Sequence, residues 1–195
     1  MNRTRIVTML VGAALGLTWG ASLRAWMTTL ALYFGDRPEM SWEGTFLATL
    51  LPATSMGALL GGAYYAPQAK DSKRWRWTAI APLLLVLGSV IFVEDFIPTL
   101  INTGLGGGAI AVTLIGLIGG YAISGRGPLW GRVVAGVICG AFLIALAGGV
   151  YFADRTSGPI QPDETFGLLF FILLMGVFIV GASVPYRIVE QSRQR

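Results

Sequence analysis

Runs of about 20 apolar residues, broken by short polar or Gly/Pro-rich segments, fill this chain from end to end. A helix crossing the hydrocarbon of a bilayer needs about 20 such residues. Six stretches qualify: 6–25, 44–65, 77–94, 104–123, 130–152 and 166–185. The pattern predicts an all-α, polytopic membrane helix bundle that forms one transmembrane domain over residues 1–195. Aromatic residues lie near the predicted boundaries, at Trp42, Tyr64, Tyr65, Trp75, Trp77, Tyr121, Trp130, Tyr151 and Tyr186. Amphipathic rings prefer that interface.

Composition supports the bilayer. The chain is 54% hydrophobic and 12% charged, where a soluble domain carries roughly 25% charged residues. A soluble fold of 195 residues has too little polar surface to cover so much apolar area, whereas lipid is an acceptable solvent for it. The 14 Lys+Arg against 10 Asp+Glu are scattered between apolar runs rather than gathered in a patch, so no nucleic-acid partner is expected.

Charge also orients the stack. Eleven of the 14 cations fall on one side: Arg3, Arg5, Lys70, Lys73, Arg74, Arg76, Arg126, Arg132, Arg187, Arg193 and Arg195. The positive-inside rule makes that side cytoplasmic, giving six spans with both termini inside. A cleaved signal peptide competes for the N-terminal segment, with Met1–Arg5 as its basic region and Ile6–Leu17 as its core. The first span runs on past that point with no clear small-x-small site, and Gly12, Gly16 and Gly20 suit a retained helix. From Arg5 to Tyr33 is about 42 Å of helix. Ala25–Phe34 is therefore expected either to protrude outside or to bend over on the membrane surface.

Chemistry-bearing residues are few. With no histidine and a single cysteine, Cys139, His-ligated metals, bis-His haem, a disulfide framework and His general-base catalysis are closed off. No cofactor and no enzymatic activity is expected. Gly104-Leu-Gly106-Gly107-Gly108-Ala109 spells a dinucleotide fingerprint, but it opens a membrane span rather than joining a strand to a helix. No acid or base lies near the middle of any predicted span, and coupled transporters usually carry one there.

Glycine is the strongest signal, 27 residues where about 14 would be usual. Pairs four apart occur at Gly12/Gly16/Gly20, Gly57/Gly61, Gly104/Gly108, Gly116/Gly120 and Gly136/Gly140, the spacing that lets helix backbones approach in lipid. Internal packing and a seam with another copy or a partner membrane protein are both compatible with it. Pro52, with Thr49, Thr54 and Ser55 around it, predicts a kink in the second span and its most polar patch. The segment Lys70, Lys73, Arg74, Arg76 with Trp75 and Trp77 predicts contact with anionic lipid headgroups.

The outer end of the first hairpin collects the candidate binding residues. Arg24 is the one cation embedded in an apolar run, near the outer boundary, and such an arginine usually finds a carboxylate. Glu39, Glu43, Glu94 and Asp95 are at similar depth, and Trp42 stands between the first two in sequence. Arg24-Ala-Trp26-Met27, followed by Pro38-Glu39-Met40-Ser41-Trp42-Glu43-Gly44-Thr45, resembles a group of small actinobacterial membrane proteins. They carry Arg-x-Trp-Met and Pro-Glu-aromatic-Ser/Thr-Trp-x-Gly-Thr across a first hairpin; here Met40 replaces the aromatic. The resemblance implies a bacterial cytoplasmic-membrane protein and implies no activity. Two functions fit: a non-catalytic membrane component that binds a lipid or partner protein, and a small channel or facilitator with an acid-rich external entrance.

Overall fold

A computed structural model describes residues 3–33, 41–65, 77–92, 107–152 and 162–187. All regular structure among these is helical. Helix α1 covers Arg3–Tyr33. Helix α2 begins as a π-helix, Glu43–Leu50, and continues as the α-helix Leu51–Tyr65. Helix α3 is Leu83–Phe92, α4 is Gly107–Ile123, α5 is Leu129–Phe152 and α6 is Pro162–Arg187. Four segments are long and apolar enough to cross a membrane, Arg3–Thr29, Glu43–Tyr65, Leu129–Gly148 and Thr165–Tyr186, while α3 and α4 give shorter apolar helices. The chain is an all-α integral membrane protein.

Two predicted elements take a different form. Helix α1 does not stop near residue 25; it runs unbroken to Tyr33, 31 residues in all, because Ala25–Tyr33 contains neither glycine nor proline to end it. The third stretch is not one helix from residue 77. A 3₁₀ turn over residues 77–80 leads into Ala81-Pro82, and α3 starts only at Leu83. Pro82 offers no N–H and disfavours the α conformation of the residue before it. The amides of Leu84 and Leu85 accordingly donate three residues back, to Ala81 at 3.0 Å and Pro82 at 3.1 Å. The Pro82 carbonyl also accepts the buried Thr113 hydroxyl of α4.

Packing around α1 uses two chemistries. Toward α2, glycines meet glycines in antiparallel order. A Cβ placed on Gly12 would strike the Gly57 carbonyl oxygen, and one on Gly16 would strike that of Ala53, with Gly57 Cα 3.0 Å away. A Cβ on Gly61 would strike the Thr8 carbonyl oxygen. Toward α6, aromatic rings stack: Trp19 on Phe178 at 4.6 Å and Trp26 on Phe171 at 4.5 Å between centroids. The Trp19 indole N–H donates to the Leu174 carbonyl at 2.9 Å, so a polar atom buried in lipid-like surroundings is satisfied. Helix α4 closes on α6 through Gly116 against Phe178 and Gly120 against Ala182. Phe171, Met175, Phe178 and Ile115 form the buried centre. Helix α5 lies outside, with Val133, Val137 and Ile144 exposed.

The π-helical start of α2 has an identifiable cause. Pro52 cannot donate to the preceding turn, and the helix before it widens so that the Leu51 amide reaches Phe46 O, five residues back. The Thr49 hydroxyl follows the same register to Gly44 O at 2.9 Å, and Thr54 donates to Leu50 O at 2.7 Å. Both threonine hydroxyls of the polar patch are thus taken up by their own helix. The Pro52 ring is buried against Gly88 of α3, where a Cβ would collide with it.

Candidate functional site

The first hairpin joins the two halves of its sequence motif. Arg24 continues the Gly12, Gly16, Gly20 row by one more step of four, so it emerges on the α2 side of α1. Its Nε donates to the Thr45 hydroxyl at 3.2 Å, and Thr45 is 5% exposed. Ser41 Oγ accepts the Gly44 amide at 3.0 Å, capping the start of α2. Trp42 stacks on Phe46 at 4.6 Å and is otherwise open to its surroundings. Glu43, one of the expected carboxylate neighbours, is exposed, and one α2 group that meets Arg24 is a hydroxyl two residues further on. Glu39, Glu94 and Asp95 lie outside the described residues, as do Lys70, Lys73, Arg74 and Arg76.

The aromatic ladder also sets α1 against α6. Trp19 faces Phe178 and Trp26 faces Phe171, which puts Arg24 level with about residue 173 of α6. On α2, the Thr45 that meets Arg24 stands two residues from Glu43, the first residue of that apolar stretch.

A groove of about 660 Å³ runs along α1 between α2 and α6. The glycine seam creates it: with no side chains at Gly12, Gly16, Gly57 and Gly61, the two backbones meet at the bottom of a trough. Met56, Leu60, Trp19, Leu174 and Phe178 line it further, and Val11, Leu15, Val177 and Val180 form rims that are themselves exposed. Gly181 of α6 adds width, since a Cβ there would find only Leu60 Cδ1, 3.9 Å away. Among its hydroxyls, Thr8 donates to Arg5 O and Thr18 to Ala14 O, each at 3.0 Å. The trough therefore offers an incoming molecule an almost wholly apolar wall. A second apolar hollow of about 620 Å³ lies between Leu59 of α2, Trp77 and the outer face of α3.

Sequence reasoning located the Arg24–Thr45 end and missed the groove, which needs three helices to exist. One signal pointed to it. Trp19 and Trp26 sit within an apolar run rather than at its edge, and a tryptophan so placed needs both a ring partner and an acceptor for its N–H. Among the described residues no group of three or more His, Cys, Asp or Glu side chains gathers to hold a metal. No family model matches the chain, and neither a curated protein nor a solved structure matches it.

Proposed function

We propose that this chain is a non-catalytic, multi-pass component of a bacterial cytoplasmic membrane, with six spans and both ends inside, that binds a lipid in the α1/α2/α6 groove. The groove carries the reading. Its volume of about 660 Å³ falls within the roughly 300–1,000 Å³ of small-molecule sites. Its Thr8 and Thr18 hydroxyls are engaged by backbone, and its rims face the side of the bundle, where a bilayer supplies tails and excludes water. A channel has less support, because the hydroxyls of Thr49, Thr54 and Ser89 bond carbonyls of their own helices. The asymmetry of cations supports the orientation.

Two glycines of α6 provide the test. Gly181 borders the groove with open space beside it, and Gly176 is exposed elsewhere with nothing within 4 Å. Native mass spectrometry of the protein extracted in mild detergent is expected to show one retained lipid. Gly181→Phe fills the trough and should remove that lipid, while Gly176→Phe should keep it. A wild-type protein without retained lipid, or equal loss in both variants, would overturn the reading.

A further inference from the structure

The groove is not the same at its two ends, and we infer that its occupant is an anionic lipid, with its tail in the trough and its phosphate-bearing head at the arginines beside the start of α1. This rests on the lipid reading above and names the class of lipid. One mouth is formed by Val7 and Thr8 of α1, Tyr64 near the end of α2, and Val184 near the end of α6. Two cations stand in the turn of α1 just before that mouth. Arg3 is exposed and Arg5 half-buried, and the Arg5 carbonyl holds the hydroxyl of groove-lining Thr8. The acids among the described residues are elsewhere: Glu43, Asp163 and Glu164 all belong to the opposite end, in the opening turns of α2 and α6.

The remainder of the trough carries no charge. From Val7 to Ser22 it extends about 22 Å along α1, room for an extended tail, and the stacked Trp19 and Phe178 face its interior. A lipid placed the other way round would put its head against Leu174 and the aromatic rings. A zwitterionic head at the arginine mouth would bring a cation to cations. Charge and shape agree on one orientation and one sign of head.

The closing experiment separates this inference from the reading beneath it. The protein is reconstituted with equal amounts of phosphatidylglycerol and phosphatidylcholine of matched tails, and the bound lipid is identified by native mass spectrometry. Phosphatidylglycerol should be enriched at least about five-fold, the factor one basic residue contributes near an anionic head. Arg5→Gln should lower the enrichment by about five-fold with a lipid still bound, and Arg5→Lys should restore it. If Arg5→Gln does not fold, wild type at raised ionic strength carries the same test, since the enrichment should fall as salt screens the heads. Added inorganic phosphate should leave the bound lipid in place, because the tail holds it. A bound lipid that mirrors the bulk mixture would overturn the anionic assignment and leave lipid binding standing. No bound lipid would overturn both, and so would a dimer that Gly181→Phe splits, since the groove would then hold a second copy.

Discussion

Helices α1 and α5 both carry glycines four apart, in almost opposite surroundings. Gly12 and Gly16 lie against the backbone of α2 so closely that no side chain fits between. Gly140 has nothing within 4 Å of the space a Cβ would take, and Gly136 finds only Ala122 Cβ, at 3.9 Å. The spans differ accordingly: 28% of the apolar stretch of α1 and 44% of that of α2 are buried inside the bundle, against 11% for α5. Lipid tails are as apolar as leucine, so no hydrophobic force drives two helices together in a bilayer, and close packing must supply the gain. The spacing is a licence for contact, and the partner decides whether it is used. Helix α2 presents Ala53, Gly57 and Gly61 at matching positions, whereas of the Gly136/Gly140 pair only Gly136 has an α4 neighbour, Ala122.

The largest effect should come from closing the tight seam. Gly16→Leu forces a side chain into the Ala53 carbonyl and Gly57 Cα, and overpacking of this kind costs about 3 kcal/mol. Thermal melting in detergent should show that loss at every protein concentration, and an unchanged melting temperature would break the comparison. A smaller effect is expected where the seam ends. Thr45→Val removes the acceptor of Arg24 Nε, and a hydrogen bond within a membrane bundle contributes about 0.6 kcal/mol. A double-mutant cycle with Arg24→Gln should return a coupling of that size; zero coupling would mean the 3.2 Å contact carries no energy. The smallest effect belongs to α5. Gly140→Leu should leave stability and association as they are, because the new side chain enters empty space. A shift in oligomeric mass would sharpen the comparison by showing that α5 does use its glycines, against another copy.

Much of this architecture was legible because the bilayer imposes it. A run of apolar residues long enough to span gives α2, α5 and α6 to within a few residues, since a helix in lipid must satisfy its backbone internally. Ends that depend on context were harder. Residues 25–33 are apolar enough for a helix or for a surface segment; in the structure α1 continues through them, and Trp26 at their start stacks on Phe171. The π-helical start of α2 also escaped the sequence, although Pro52 announced a kink. How the turn widens depends on what packs on it, and Gly88 comes from a helix 36 residues further along the chain. At the candidate site Arg24 stood out as a charge in an apolar run, but its α2 neighbour did not. A carboxylate is the usual expectation for an arginine in lipid; the hydroxyl of Thr45 comes to Arg24 through helix register, and Glu39, Glu94 and Asp95 lie outside the described residues.

The place of Arg24 beside Thr45, two residues into α2, has an electrical consequence. Two residues are about 3 Å of helix, so in a slab of about 30 Å the guanidinium stands across roughly 10% of the transmembrane voltage drop. Moving one charge through the whole drop involves about 2.3 kcal/mol per 100 mV, so Arg24 feels about 0.2 kcal/mol per 100 mV relative to the outer boundary. With the start of α1 on the negative side, as proposed, the field draws the guanidinium weakly toward that end. A hydrogen bond of about 0.6 kcal/mol holds against a pull of that size, so the Arg24 end of the α1/α2 seam stays closed whether the membrane is energised or depolarised.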